Sequence, residues 1–132
     1  MAALSDQFPH EKEEIFQLLC ETMKGVSDLG NRLEGLPGDI GEVLENSLAS
    51  AFSEICSALA HGTGDSLPLA IADLDLAGGC LEAVRVFERL EDDLYLDIRE
   101  RLLRAHQLLD EMWKDEIQNC GYRRTVKEDR PS

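Results

Sequence analysis

Mostly apolar residues recur at spacings of three and four along four stretches of the chain, and in the first stretch the two spacings alternate throughout. This repeat of 3.5 residues is typical of helices that pack side by side in a left-handed bundle. Because the connections are short, neighbouring helices should be antiparallel, and the pattern predicts an all-α, up-down-up-down four-helix bundle. The four stripes are Ile15, Leu19, Thr22, Val26, Leu29, Leu33 and Leu36; Ile40, Leu44, Leu48, Ala51, Ile55 and Leu59; Ile71, Leu74, Ala77, Leu81, Val84 and Phe87; and Leu94, Ile98, Leu102, Ala105, Leu109 and Met112.

Proline, glycine and serine divide these stripes. Pro37 with the glycine after it breaks helix one, and Gly62 suits the left-handed position that ends helix two. Ser66 is predicted to cap helix three, with Pro68 in the first turn, where its missing N–H has no effect. Asn119-Cys120-Gly121 resembles the end of helix four. The predicted order is a leader (1–9), a bundle (10–118) with helices over about 11–35, 39–60, 66–90 and 93–118, and a flexible polar tail (119–132).

Two helices carry features beyond a single apolar stripe. Gly78 and Gly79 lie in the middle of helix three, where two glycines cost about 2 kcal/mol relative to alanine. Such a pair predicts close backbone approach by another helix. On helix two, Val43 and Phe52 widen the stripe, so this helix either faces another subunit or is deeply buried within the monomer.

The charge of the chain limits its partners. Its 132 residues suffice for one domain, and 27 acidic against 13 basic side chains give a net charge of -14. Because such a field repels phosphate backbones and anionic membranes, we expect no direct nucleic-acid contact and no membrane association. A basic protein partner stays compatible. Arg123 and Arg124, in the locally basic tail, are the candidate contacts to a partner.

Neither a signal peptide nor an apolar run of the roughly 20 residues that a membrane span needs is present. This predicts a cytoplasmic protein whose thiols are reduced and buried. The four cysteines are far apart and form no C-x-x-C, so we expect no metal or other cofactor; they are Cys20, Cys56, Cys80 and Cys120.

The titratable side chains form no catalytic constellation. No Glu-x-x-His pair accompanies the three histidines, His10, His61 and His106, and no phosphate-binding loop is present. Glu82 has two interpretations, a structural anchor that binds a helix end or an arginine of another subunit, and a general base. Because no nucleophile accompanies it, the structural interpretation is favoured, and we expect no enzymatic activity.

Residues 37–82 resemble a family of bacterial four-helix-bundle proteins, those encoded in intervening sequences of ribosomal RNA genes together with the accessory variability proteins of diversity-generating retroelements. The family pattern runs from a helix-starting proline to I-x-x-N-I-A-E-G-x-G and then, after a serine cap, to A-x-G-S-x-x-E. The chain matches it without a gap at Pro37, Leu44, Leu48, Ala51, Ile55, Ala60, Gly62, Gly64, Ser66, Ala77, Gly79, Leu81 and Glu82. The motif positions that we single out are Pro37, His61, Gly62, Gly64, Ser66, Gly78, Gly79 and Glu82.

The resemblance implies a ring-like homo-oligomer, a pentamer in this family. The chain departs from the family at positions that would favour nucleic-acid binding. Ala58 and His61 replace the family's asparagine and glutamate. Ala49 and Ser50 stand where the family's second helix is rich in arginine, so the resemblance supports nucleic-acid binding less than it supports the fold. The predicted function is therefore a non-enzymatic, homo-oligomeric interaction or scaffold protein. The alternative is a nucleic-acid-associated accessory subunit, such as a reverse-transcriptase partner, that acts through a basic protein.

Overall fold

Four α-helices make up the part of the chain that the computed structural model describes, residues 13–61 and 64–128, with the backbone alone for 119–128. Those ranges contain no β-strand, which confirms the predicted all-α class. The predicted leader (1–9) and Gly62 lie outside them. The helices are α1 (Glu14–Ser27), α2 (Ile40–His61), α3 (Leu67–Val86) and α4 (Asp92–Glu128), with short 3-10 turns at Gly30–Leu33 and Pro37–Asp39.

Each helix packs against two neighbours, in the cyclic order α1, α2, α3, α4. Charged side chains report the relative direction of α3 and α4. Asp75 contacts His106, whereas Glu82, two turns further along α3, contacts Arg99, which is earlier on α4. The two helices are therefore antiparallel. Helices α1 and α4 are also antiparallel, because Glu14 contacts Arg104 whereas Glu21 contacts Arg101. Since the connection between α2 and α3 is short, the helices form the predicted up-down-up-down bundle.

The predicted stripes of α1, α2 and α4 form most of the core. The largest fully buried side chains come from all four helices and include Leu19, Leu48, Leu81 and Leu109. On α3 the buried face is rotated slightly from the prediction. Ile71 is only partly buried and Phe87 is 46% exposed, because Phe87 follows the last helical residue. The buried face of α3 consists of Leu67, Ala70, Leu74, Ala77, Cys80, Leu81 and Val84.

Helix α1 is shorter than predicted. It ends at Ser27, whereas the apolar repeat predicted a helix to about residue 35. The chain turns at Gly30, whose φ of 51° lies in the left-handed region that favours glycine. The repeat nevertheless has a structural role, since Leu29, Leu33 and Leu36 remain buried on the turned segment.

Helix α4 is longer than predicted. The end expected at Asn119-Cys120-Gly121 is wrong, because the helix continues to Glu128. A single glycine within a helix costs only about 1 kcal/mol, and no proline follows before Pro131. Helix α3, in contrast, is shorter than predicted. It ends at Val86 rather than near residue 90, and Glu88, two residues later, has a left-handed φ of 57°.

The segment before α2 packs tightly on the start of that helix. Gly41, the second residue of α2, is buried against Leu33 of the preceding turn. A Cβ at this position would lie 2.5 Å from the carbonyl oxygen of Leu33 and 2.7 Å from its Cβ. Real Cβ atoms do not approach a backbone oxygen so closely. Gly41 therefore permits the close contact that turns the chain from α1 into α2.

Both apolar edges of α2 are used within the monomer. Phe52 packs against Phe16 of α1 with ring centroids 5.2 Å apart, and Val43 is partly buried against the core. Of the two interpretations of the wide stripe, the structure favours burial within the chain. The physical reason is that α2 packs against both α1 and α3.

Ser66 precedes α3 as predicted, but its hydroxyl does not cap the helix. It donates a hydrogen bond of 2.9 Å to the carbonyl oxygen of Glu54 on α2 and so connects the two helices.

Replacing Ser66 by alanine is expected to lower the free energy of unfolding by about 1 kcal/mol, because the Glu54 carbonyl loses this donor. Urea denaturation measures the change, and Ser53→Ala, on the exposed face of α2, is the control that should alter stability by less than about 0.5 kcal/mol. Equal effects of the two substitutions would contradict this role.

Candidate functional site

The side of α3 that faces away from the core is apolar. Its residues recur at spacings of three and four, the same repeat as the buried face, but they point outward. Leu69 is 60% exposed, Leu76 is 49% exposed and Val86 is 75% exposed. We call this set of residues the outer stripe; its members are Leu69, Ala72, Leu76, Gly79, Ala83 and Val86.

The outer stripe carries no charged side chain. The acidic residues of α3 lie beside it and are engaged with neighbouring helices. Asp75 contacts His106 of α4 at 2.9 Å, and Glu82 lies 3.7 Å from Arg99 of α4. On the other side, Asp73 faces α2. The apolar surface therefore runs along the helix without a charge that would favour hydration.

The glycine pair has open space over it, with Gly79 exposed and Gly78 half-buried. A Cβ added at Gly78 or Gly79 would meet nothing within 4 Å. The described chain therefore makes no close contact over these glycines, and the predicted close approach by another helix stays a prediction. The destabilisation of about 2 kcal/mol that two helical glycines bring has no counterpart in the monomer.

A shallow groove runs between α3 and α4 beside the outer stripe. Its volume is about 220 Å³, and Gly78, Leu81 and Leu103 are among the residues that line it. Leu103 is 46% exposed. Pockets for small molecules usually enclose about 300–1,000 Å³, so this groove is better suited to a side chain of a partner than to a substrate.

Glu82 anchors α3 to α4 in the described structure. It accepts a hydrogen bond from the hydroxyl of Tyr95, whose ring is 2% exposed, and it lies near Arg99. The guanidinium of Arg85 stacks over the Tyr95 ring, 4.4 Å from its centroid. Glu82 itself is exposed. These contacts agree with the structural interpretation of Glu82, with a partner in the same chain instead of another subunit.

His106 lies between two carboxylates. Its Nε2 is 2.9 Å from Asp75 and its Nδ1 is 3.1 Å from Asp110. The imidazole therefore joins an acid of α3 to an acid one turn further along its own helix. It connects α3 to α4, and each ring nitrogen has a carboxylate beside it. No nucleophilic side chain adjoins it among the contacts of the described residues.

Glu54 and Asp73 form a carboxyl pair between α2 and α3. Burial, followed by hydrogen bonding to Asp73 and the charge of Asp73, raises the pKa of Glu54 to about 7, while a hydrogen bond from Ser50 acts in the opposite direction. The Oε2 atom of Glu54 is buried without a hydrogen-bond partner. One shared proton satisfies this pair better than two charges would.

The cysteines of the described part are free thiols. Cys80 is buried, Cys56 is partly buried and Cys20 is exposed, so the expectation of buried thiols is met only in part. Burial raises the pKa of all three, which lowers their reactivity at neutral pH. Within residues 13–61 and 64–128, no group of three or more histidine, cysteine or acidic side chains could hold a metal ion.

The motif residues chosen from the sequence do not form one site. Pro37 starts the turn before α2, His61 is the exposed last residue of α2, and Gly64 packs against the side chain of Glu116. The backbone at Arg123 and Arg124 continues α4, and their side chains lie outside the described part.

Sequence reasoning missed the outer stripe, which was detectable. Reading the sequence at a second 3.5-residue register of α3 finds six uncharged positions in succession. Among the helices of the described part, none is long and apolar enough to cross a membrane.

No protein-family model, no curated protein and no solved structure matches this chain.

Proposed function

We infer that this chain is a non-enzymatic, homo-oligomeric interaction protein whose contact surface is the outer stripe of α3. The observation that carries this proposal is the exposure of Leu69, Leu76 and Val86 on one uncharged face. Single exposed apolar side chains are ordinary on protein surfaces. A continuous apolar stripe along a whole helix is typical of an interaction site.

The energetics favour covering this face. Burial of apolar surface contributes about 25 cal/mol per Å², so a large aliphatic side chain that is half exposed leaves about 1 kcal/mol unrealised. Three such side chains and the exposed Gly79 lie in line on α3. A second helix backbone that approached the glycine pair closely would also offset the loss of helix stability that the two glycines cause.

The charged groups of the described chain support binding rather than catalysis. The titratable residues that the fold brings together, such as Glu82 with Arg99 and His106 with Asp75, contact each other between α3 and α4. Both pairs line the groove between α3 and α4, where each side chain is held by its partner on the facing helix. This pairing supports a structural role for these side chains.

The arginines of the described part favour protein contacts over phosphate contacts. Five of them lie within 4.0 Å of a carboxylate in the same chain, namely Arg32, Arg85, Arg99, Arg101 and Arg104. A positive surface that could bind a phosphate backbone needs unpaired cations. An association between copies, in a ring of five as the resemblance implies or in a smaller assembly, agrees better with these pairs.

Native mass tests the proposal. Multi-angle light scattering of the full chain from about 1 to 200 µM should give a mass that rises above 14.7 kDa with concentration. The rise reflects association through a small apolar face. A mass that stays at the monomer value throughout this range would overturn the proposed function.

A further inference from the structure

We propose that α3 packs against α3 of a second copy, antiparallel, about a two-fold axis that passes between Ala77 and Gly78. This inference rests on the proposed function, because it names the partner that covers the outer stripe. It also specifies the relative orientation of the two α3 helices and which residues face each other across the axis.

The spacing of the outer stripe suits a two-fold axis. Its positions are 69, 72, 76, 79, 83 and 86, and the intervals read three, four, three, four, three in either direction. In a two-fold contact the same surface occurs on both subunits, so the pattern must match its own reverse. Antiparallel pairing about the midpoint sets every stripe position against another stripe position. The 3.5-residue repeat also allows the two helices to stay in contact along their length.

The side-chain sizes are complementary in this register. At the centre, Leu76 lies opposite Gly79 of the partner subunit, so the bulkiest central side chain meets the position without a Cβ. Farther out, Ala72 lies opposite Ala83 of the partner subunit. At the ends, Leu69 lies opposite Val86 of the partner subunit. The open space over Gly79, where an added Cβ meets nothing within 4 Å, is the space that the partner's Leu76 would fill.

The charges set the salt dependence of this contact. Each copy carries a net charge of -14, so two copies repel each other at a distance. The acids beside the stripe are held against α4, where Asp75 contacts His106 and Glu82 contacts Arg99. Because the interface itself is uncharged, added salt should screen the repulsion and strengthen the dimer. An interface built on salt bridges would weaken instead.

The contact area sets its strength. From Leu69 to Val86 the stripe is about 25 Å long. A helix pair of this length buries on the order of 500 Å² from each copy, which is near the lower limit for a specific interface. We therefore expect a dimer that dissociates in the micromolar range and not a permanent assembly.

Cross-linking between single-cysteine additions tests the register. The variants are Ala72→Cys and Ala83→Cys, two positions on the surface of α3 that the proposal places in contact across the axis. Each variant alone and their equimolar mixture are treated with a short thiol-specific cross-linker, and the linked peptides are identified by mass spectrometry. Unsubstituted protein, treated in parallel, gives the background from the native cysteines, and circular dichroism confirms that both variants are folded.

The expected result is a link between positions 72 and 83 that forms in the mixture, at least tenfold above any 72–72 or 83–83 link in the single variants. Self-links in the single variants would show a parallel contact and overturn the inference, while association itself would stand. A pentameric mass without the 72–83 link would also overturn the two-fold geometry alone. A monomeric mass at all concentrations would overturn both this inference and the proposed function.

Discussion

Replacing Gly41 by alanine is expected to lower the free energy of unfolding by about 2 kcal/mol, although alanine is the better helix former. The added Cβ would lie 2.5 Å from the carbonyl oxygen of Leu33, and this neighbour is backbone that cannot rotate away. Relief of the clash would require the turn before α2 to move, and Leu33 and Leu36 would lose part of their burial. Urea denaturation at low protein concentration measures the change.

Gly79→Ala is the matched control for this prediction. Gly79 is also a helical glycine, but a Cβ there meets nothing within 4 Å. Alanine should therefore raise the free energy of unfolding by about 1 kcal/mol through helix propensity. The two glycines thus respond in opposite directions. If both substitutions stabilised the protein, the close contact between Leu33 and α2 would be wrong.

Replacing Glu54 by glutamine is expected to stabilise the protein at pH 8 and to change it little at pH 4.5. Burial and the adjacent Asp73 carboxylate raise the pKa of Glu54 from 4.5 to about 7. A carboxyl group whose folded-state pKa is raised is most favourable to folding when protonated. Its contribution is present below about pH 4.5 and is lost as the pH rises through about 7. Glutamine keeps a neutral donor toward Asp73 at every pH.

The full shift would correspond to about 3 kcal/mol, but Glu54 is only partly buried and solvent screens its charge. We expect a gain of about 1–2 kcal/mol at pH 8. Thermal denaturation at several pH values measures it. Glu45→Gln, on the exposed face of the same helix, removes the same charge without touching the pair and is the matched control. If Glu54→Gln had the pH profile of the unsubstituted protein, the shared proton would be excluded.

The helices follow from local patterns, whereas their ends depend on tertiary contacts. The apolar repeats predicted all four helices, because a helix with an apolar stripe packs that stripe against a core. The end of α1 was misplaced because Leu29, Leu33 and Leu36 continue the repeat beyond the left-handed Gly30. The end of α4 was misplaced because Gly121 looked like a stop, although the continuing helix needs only to tolerate it.

Long-range pairs account for what the sequence could not provide. Gly41 looks like any other glycine until Leu33 lies against it, and Glu54 and Asp73 are paired only because α2 and α3 are adjacent. The outer stripe is different, because it is a local pattern. What the sequence lacked was the direction of the core from α3, which decides that Leu69, Leu76 and Val86 face outward.

Sedimentation velocity of two single-residue variants, one inside the outer stripe and one outside it, tests most directly whether the outer stripe joins copies of the chain. Leu76 and Ile117 are equally exposed, at 49% and 50%, but only Leu76 lies in the outer stripe. Leu76→Glu places a carboxylate in the apolar contact and should leave a monomer at concentrations where the unsubstituted protein associates. Ile117→Glu adds the same charge on α4 and should associate as the unsubstituted protein does. Association of Leu76→Glu to the same extent as Ile117→Glu would contradict the account.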